Sequence, residues 1–258
     1  MTKAVYLPML LKKITTITFI FLISLNSFSQ SIKDSCVAIP LVGLHFSGQL
    51  ALGDLTNRFG NSGSAGIPFI YKTSKNWLIC IEGNYFFGKK INEENHLTNL
   101  KNSEGTITAN DGAPGRLRVN ERGMNFYISF GKVLPILNSN KNCGPIVWAG
   151  AGYMQHKINI YDLGKNIPQL SGDLKKGYDR LTGGFAVTGF LGYLYLSENK
   201  LTNFYAGFEY NQGFTNGLRG YQYDKMSSDN LKRNDIQIGF RAGWILPLYK
   251  RLKEFYVN

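Results

Sequence analysis

The feature that most constrains this chain is a strict alternation of residue types near its C-terminus, over residues 235–248. Every even-numbered position in this segment is apolar, whereas the odd-numbered positions, such as Gln237, Gly239 and Arg241, are mostly polar or small. Successive side chains of a β-strand point to opposite faces of the sheet. The segment therefore predicts a strand with one face against an apolar medium and the other against a wet or crowded space.

Seven earlier segments show the same alternation. They cover residues 42–52, 65–72, 77–88, 124–134, 146–160, 185–195 and 202–214. The fifth segment is the weakest match, because Ile146, Trp148 and Met154 lie on the face opposite to Val147. With the C-terminal segment, the set predicts an all-β fold, an eight-stranded antiparallel transmembrane β-barrel.

The connections between these segments alternate in length. Short turns are predicted at residues 73–76, 136–144 and 197–201, and long polar loops at residues 54–64, 89–123, 161–183 and 215–234. Outer-membrane barrels have short periplasmic turns and longer extracellular loops. We therefore expect both termini to lie in the periplasm. In the second long loop, residues 92–102 predict a short helix, and residues 106–109 and 116–120 predict a hairpin around Asn110-Asp111-Gly112.

The composition fits this architecture. The chain has 29 Gly, 15 Tyr and 17 Phe. Membrane barrels place aromatic residues outside, at the two membrane interfaces, and small residues inside, where side chains crowd together.

The N-terminus has the features of a secretory signal peptide. Lys3, Lys12 and Lys13 precede an apolar stretch at residues 14–25, which is too short to span a bilayer as a helix. Small residues in Ser27-Phe28-Ser29 predict cleavage before Gln30, with a retained membrane anchor as the alternative. We expect residues 1–29 to be the signal peptide and residues 30–258 to form one barrel domain.

At this level the chain resembles the small outer-membrane barrels of the Bacteroidota, the OmpA-like and PorT-like group. The resemblance is carried by the Ser-Phe-Ser signal end before Gln30, the eight alternating strands, the aromatic last strand, and pairs such as Gly152-Tyr153 and Gly192-Tyr193. One departure is the tail 250–258, which follows the last strand. The resemblance implies an outer-membrane location and, for some relatives, an accessory role in secretion or outer-membrane assembly machinery.

Three charged residues of the predicted strands fall on the inward face at similar depth, namely Glu82, Glu209 and Arg241. An eight-stranded barrel is just wide enough for side chains to fill it, and buried charges need partners. The parity therefore predicts an ion-pair network that plugs the lumen, with a path for ions or protons as the alternative. Lys72, His45 and Gln49 are candidate extensions of this network.

An enzymatic alternative rests on His45 and Ser47, because a base beside a hydroxyl is the minimum for acyl transfer. A lipid-modifying barrel would need this pair on the lipid-facing side, whereas parity places it inside. No three His, Asp or Glu residues have a spacing typical of a metal site, and we expect neither a metal nor another cofactor.

Loss of three lysines with the signal peptide lowers the formal net charge from +12 to +9, which favours anionic partners such as lipid phosphates, while the export signal argues against nucleic acid. Arg122 and Arg180 are candidate contacts for lipopolysaccharide, with intra-loop salt bridges as the alternative. Lys250, Arg251 and Lys253 are candidate contacts for a periplasmic or envelope protein, with an ordinary basic tail as the alternative. Three cysteines cannot form a disulfide framework, and we expect unpaired thiols.

Three function classes follow from this reading. The first is a non-enzymatic structural or accessory subunit of an envelope complex. The second is a narrow pore or small-molecule transporter, and the third is the lipid-modifying enzyme. Inward Tyr127, Phe190 and Tyr205 favour a filled lumen and thus the first class.

Overall fold

A computed structural model describes residues 36–93, 96–136, 140–164, 166–197 and 201–248. The predicted signal peptide and the basic residues Lys250, Arg251 and Lys253 lie outside these ranges. All three cysteines, Cys36, Cys80 and Cys143, are free thiols.

Eight antiparallel strands form one closed barrel, in which each strand pairs with its neighbours in sequence and β1 pairs with β8. The strands are β1 (Ile39–Gly53), β2 (Ser62–Lys72), β3 (Trp77–Gly88), β4 (Leu117–Val133), β5 (Gly144–Asp162), β6 (Thr182–Tyr195), β7 (Phe204–Gly217) and β8 (Lys232–Pro247). The fold class predicted from the alternation is therefore confirmed. None of the helices in the described ranges is both long and apolar enough to cross a membrane.

The two ends of the barrel differ in their connections. Residues 73–76, 134–143 and 196–203 join strands at one end, which we call the turn end, and the tight turn at 73–76 is closed by hydrogen bonds between Thr73 and both Asn76 and Trp77. Residues 54–61, 89–116, 163–181 and 218–231 join strands at the other end, which we call the loop end.

The side chains alternate between the lumen and the outer surface along the strands. In β8, Phe240 is 52% exposed, whereas the next residue, Arg241, is 1% exposed. The fifth strand follows the same rule: Val147 points outward, while Ile146, Trp148 and Met154 are buried in the lumen. This strand matched poorly in sequence because the lumen is itself apolar at these depths.

The outer surface carries a continuous apolar belt. Aromatic side chains lie near the turn end at Tyr71, Trp77, Tyr193, Tyr195, Phe204 and Trp244, and near the loop end at Tyr85, Phe87, Tyr153, Tyr161, Tyr210 and Phe214. Aliphatic and phenylalanine side chains such as Ile81, Ile128 and Phe208 cover the wall between them. Soluble monomers rarely expose contiguous apolar patches larger than a few hundred Å². The belt has the form of a lipid-facing surface.

The long loops differ in detail from the sequence prediction. Residues 117–120 do not form a hairpin arm with 106–109, because they extend β4 and pair with β5, as in Leu117 opposite Asp162. A smaller hairpin remains, in which Thr108 bridges to Pro114 and Gly112 adopts a φ of 77°. Among the described residues of the predicted helix at 92–102, the helical part is one short 3₁₀ turn, Thr98–Leu100.

The loops at the loop end fold onto a second hydrophobic core, separate from the core at the turn end. Its buried side chains are Leu55, Phe59, Leu97, Ile107, Ala109, Ile158, Ile160, Ile167, Leu170 and Tyr178. We call the four connections at the loop end, 54–61, 89–116, 163–181 and 218–231, the cap. The cap, packed in this way, covers the mouth of the barrel at the loop end.

Candidate functional site

The centre of the lumen holds an ion-pair triad of Arg241, Glu82 and Glu209. Arg241 Nη1 donates to Glu82 Oε2 at 2.7 Å, and Arg241 Nε donates to Glu209 Oε2 at 2.6 Å. All three residues are at most 2% exposed. The structure thus brings together the three charges that strand parity places at one depth, and they come from β3, β7 and β8 across the barrel.

Neutral amides complete the coordination of the two carboxylates. Gln49 Nε2 donates to Glu209 Oε1 at 2.7 Å, and Asn84 Nδ2 donates to Glu82 Oε1 at 3.3 Å and to Asn125 Oδ1 at 2.7 Å. Two carboxylates share one guanidinium, so these donors satisfy acceptor sites that the cation leaves open. Gln49 therefore belongs to the network, as parity suggests.

His45 and Lys72 lie outside the triad. His45 Nδ1 is 3.0 Å from the hydroxyl of Tyr205, which in turn contacts Arg241, so this histidine extends the network through Tyr205. Lys72 Nζ donates to Asn142 Oδ1 at 2.7 Å and to the carbonyl of Val37 at 3.2 Å, near the turn end. The prediction that Lys72 extends the network is wrong, because its position as the last residue of β2 places it far along the lumen from Glu82.

The candidate acyl-transfer pair, His45 and Ser47, is not exposed to lipid. Ser47 Oγ shares a hydrogen bond of 2.7 Å with Ser64 Oγ, and both side chains face the lumen. His45 is fully buried and contacts Tyr205 instead. A lipid-modifying reaction would need these groups on the outer wall.

A stack of aromatic rings closes the lumen on the turn-end side of the triad. Trp148 and Phe190 are stacked with centroids 4.3 Å apart, and Tyr205 packs edge-on against both at 5.7 Å. The guanidinium of Arg241 lies 5.7 Å from the Phe190 centroid, which joins the stack to the triad. These rings block the width of an eight-stranded barrel.

Glycines on the inner wall make room for the rings. A Cβ at Gly243 would approach the Tyr205 ring to 2.4 Å, and one at Gly131 would come within 2.4 Å of the Trp148 Cβ. Such distances are far below van der Waals contact. The inward glycines of this barrel therefore match its large inward side chains.

A second polar cluster lies between the triad and the cap. His156 Nε2 contacts Asp235 Oδ2 at 2.8 Å, and the Thr215 hydroxyl donates to the same oxygen. Glu121 and Gln237 are also fully buried at this level. Polar groups thus continue from Arg241 towards the cap, beside a small apolar cluster that includes Phe86 and Met154.

Ion pairs hold the cap together. Arg180 pairs with Glu93 Oε1 at 2.7 Å and with Asp224 Oδ2 at 2.6 Å, and Arg58 lies 3.5 Å from Glu93 Oε2. Because Arg180 is 2% exposed, it does not reach a lipid headgroup, and the prediction of a lipopolysaccharide contact at this residue is wrong. Arg180 instead forms salt bridges between loops, because Glu93 and Asp224 lie in two other connections.

Two further groups of the cap have shifted pKa values. Burial lowers the pKa of His96, whose Nε2 lies 3.0 Å from the carbonyl of Tyr178, and this hydrogen bond opposes the shift only in part. The hydrogen bonds from Arg219 to Asp179 raise the pKa of that guanidinium. The cap is therefore built around a neutral histidine and fixed ion pairs.

Arg122, the other candidate lipopolysaccharide contact, is on the outer wall. It lies in β4 directly opposite Lys157 of β5. Its guanidinium donates to the carbonyl of Glu121 at 3.1 Å. Within the described ranges, no group of three or more His, Cys, Asp or Glu residues is arranged to hold a metal ion.

The cap and its ion pairs are the part of the site that sequence reasoning missed. The available signal was the near balance of six basic and five acidic residues in the second long loop, 89–123, which favours internal pairing. Charge balance does not specify which partners meet, because Glu93, Arg180 and Asp224 come from three different loops.

No protein-family model and no curated protein matches this sequence. Several solved structures align with it, among them the following three. The attachment invasion locus protein Ail of Yersinia pestis is 10% identical with a TM-score of 0.42, over 81% of this chain and 99% of that chain. Neisserial surface protein A is 12% identical with a TM-score of 0.42, over 80% and 96%. The N-terminal β-barrel domain of Pseudomonas aeruginosa OprF is 10% identical with a TM-score of 0.39, over 81% and 99%.

Proposed function

We propose that this chain is an exported outer-membrane β-barrel with a closed lumen, which acts as a non-enzymatic structural or accessory subunit of an envelope complex. The apolar belt supports the location, since helices and closed barrels are the structures that span a bilayer with all backbone groups paired. The turn end faces the periplasm in this proposal, and so do both termini.

The observation that carries the proposal is the closure of the lumen at three levels. The Trp148–Phe190 stack fills the turn-end side, the Arg241 triad fills the centre, and the cap covers the loop end. A barrel closed in this way interacts with other molecules through its outer surfaces. The surfaces available to partners are the outer side of the cap, the lipid-facing wall and the basic tail with Lys250, Arg251 and Lys253.

The kind of complex follows from the sequence resemblance to PorT-like barrels of the Bacteroidota. In this proposal the chain serves the secretion or outer-membrane assembly machinery. The tail binds a periplasmic or envelope partner through its basic residues, while the cap is presented at the cell surface.

A narrow pore is the second candidate, and one observation favours it. The inward residues Asp235, Gln237, Glu121 and His156 make the upper lumen polar, which would suit ions if the cap opened. The aromatic stack below Arg241 opposes this candidate.

Affinity purification tests the proposed function. The full chain carries a tag in the cap loop 218–231 and is extracted from the native envelope in mild detergent, with mass spectrometry of what co-purifies. We expect the same envelope proteins in repeated preparations, and their loss when Lys250, Arg251 and Lys253 are all changed to Gln. An unrelated tagged eight-stranded barrel is the control. Recovery of the chain alone, or of the same proteins with the control barrel, would contradict the proposal.

A further inference from the structure

We propose that the outer wall of β2 to β5 carries a binding site for lipid A, the phosphorylated and acylated part of lipopolysaccharide. In this site Arg122 and Lys157 bind a phosphate, and a hollow around Gly83 takes an acyl chain. The inference rests on the proposed function in one respect, namely that the loop end lies in the outer leaflet.

The hollow is an apolar depression of about 580 Å³ in the lipid-facing wall. Its floor is Gly83, where an added Cβ would have no neighbour within 4 Å. Ile67 and Phe126 stand directly on either side of Gly83 in the strand register, and both are exposed. The volume is within the range of roughly 300–1,000 Å³ that is usual for small-molecule sites.

The basic pair lies on the same wall, nearer the loop end. Arg122 and Lys157 face each other across β4 and β5, and like charges in this position destabilise a sheet. Asn120 and Asn159 pair next to them on the loop-end side, and neither carries a charge. The carboxylate of Asp179 lies 3.9 Å from the ammonium of Lys157 and is already bound by Arg219. An external anion would relieve the repulsion.

The hollow and the basic pair are continuous. Tyr85 and Met124 line both the hollow and a smaller depression of about 180 Å³ that contains Arg122 and Lys157. Arg122 and Met124 are two residues apart on one face of β4, which corresponds to roughly 7 Å along the strand. Arg122 and Lys157 therefore lie nearer the loop end than the hollow does. This is the arrangement of a lipid headgroup relative to its acyl chains.

Two further cations surround this region. Arg118 lies opposite Tyr161 in the β4–β5 register, and the ammonium of Lys175 is 5.5 Å from the Tyr161 ring centroid. An arginine and a lysine with nearby aromatic residues suit a phosphate that sits at the interface of the membrane. A molecule with phosphates and several acyl chains fits both parts of the site, and lipid A is the outer-leaflet lipid with that chemistry.

Native mass spectrometry of the full chain in detergent tests the proposal, with lipid A as the probe. Dephosphorylated lipid A with the same acyl chains, phosphatidylglycerol and inorganic phosphate are the comparison ligands. We expect lipid A to bind more tightly than each of these. The variant Arg122→Gln/Lys157→Gln should lose roughly tenfold in affinity for each charge removed. Lys132→Gln is the matched control, because Lys132 is on the outer face of the same strand at the turn end.

A second pair of variants tests the hollow. Gly83→Leu should weaken lipid A binding, whereas Gly189→Leu should not, although both glycines face outward with no neighbour within 4 Å of an added Cβ. Equal binding by wild type and Arg122→Gln/Lys157→Gln would overturn the proposal. Binding of phosphatidylglycerol or dephosphorylated lipid A as tight as that of lipid A would also overturn it. So would binding of inorganic phosphate without binding of lipid A.

The failure of this site is distinguishable from failure of the proposed function. Fractionation of cells and heat-modifiability of the chain report whether it folds in the outer membrane, and the affinity purification reports its partners. The lipid assay uses purified protein and depends on neither result. Arg122→Gln/Lys157→Gln and Gly83→Leu should both remain heat-modifiable. A loss of lipid A binding in these variants is then not caused by a loss of folding.

Discussion

Arg241 is the residue on which the interior of this barrel depends. It is the single cation between two buried carboxylates, so its guanidinium neutralises Glu82 and Glu209 at the same time. Removing one partner of a buried ion pair costs far more than removing the whole set, because a buried charge is left without compensation. This asymmetry gives a sharp test at the level of single side chains.

We expect Arg241→Met to destabilise the barrel by about 3–5 kcal/mol, since both carboxylates lose their counterion. The measurement is the urea concentration at the midpoint of unfolding in lipid vesicles. The triple variant Arg241→Met/Glu82→Gln/Glu209→Gln is the control and should recover most of the loss. If Arg241→Met unfolds at the wild-type urea concentration, the triad does not stabilise the fold.

Gly207 gives the corresponding test for packing. A Cβ at this position would lie 2.3 Å from the backbone of Gly192 on the next strand, so the wall has to shift to accept one. We expect Gly207→Val to destabilise the barrel by about 1–3 kcal/mol. Gly189→Val, which points outward into open space, should be neutral or slightly stabilising because valine favours strands. Equal effects of the two variants in urea unfolding would contradict the packing account.

Strand parity predicted the triad and its partner Gln49, but not the position of Lys72. Glu82, Glu209 and Arg241 were predictable because two facts, the face and the depth of each residue, follow from position in an alternating strand. Lys72 is on the inward face, as predicted. Its depth in the barrel, however, depends on where β2 ends and on the connection that its side chain contacts. Asn142, its partner, lies in a connection whose conformation has no periodic signal.

At the level of elements, strands and loops differ in how far their sequence determines them. The eight strands were predicted because every second residue must face either lipid or lumen. The ends of β4 and β5 were not, because above the membrane the wall continues without an apolar outer face, as at Arg118 and Asn120. The cap is held by contacts between different loops, and such contacts leave no local pattern.

The cap should respond to acid through His96. Burial holds the pKa of His96 below its ordinary value near 6.5, so the folded cap keeps it neutral while an opened cap lets it bind a proton. A histidine with a lowered folded pKa contributes stability that is lost as the pH falls below the unfolded value. Arg180, Asp224 and Glu93 face this ring, and the arginine strengthens the effect.

We therefore expect cap amides to exchange hydrogen faster at pH 5 than at pH 7.5, after correction for the intrinsic rate. The amides of the strands in the membrane should not change. In His96→Asn the difference between the two pH values should shrink, since asparagine can donate to the Tyr178 carbonyl without titrating. An unchanged pH response in this variant would exclude His96 as its source.

Arg180 tests whether the cap is a separate element. We expect Arg180→Met to loosen the cap, because Glu93 and Asp224 lose a buried counterion, while the barrel stays intact. Limited proteolysis should then cut the loops at lower protease concentration, and heat-modifiability should persist. The exposed pair Lys176–Asp173 supplies the control, since Lys176→Met removes a surface ion pair of little energetic weight. Loss of heat-modifiability in Arg180→Met would show that cap and barrel fold as one unit.

At the scale of the whole molecule, one architecture explains the apolar outside and the charged inside together. The lipid-facing belt fixes which residues point inward, and the narrow lumen forces those residues to fill it. Closure by the triad, the aromatic stack and the cap follows from this geometry. Function is therefore expected on the outer surfaces of the described barrel, namely the lipid-facing wall and the cap.

Single-channel recording in planar lipid bilayers tests the closed transmembrane barrel most directly. The chain carries a fluorophore, so that its insertion is counted in the same bilayer in which the current is measured. We expect inserted wild-type protein to give no current steps above the baseline across the applied voltages. Discrete steps of reproducible size that scale with the number of inserted molecules would contradict the closed lumen.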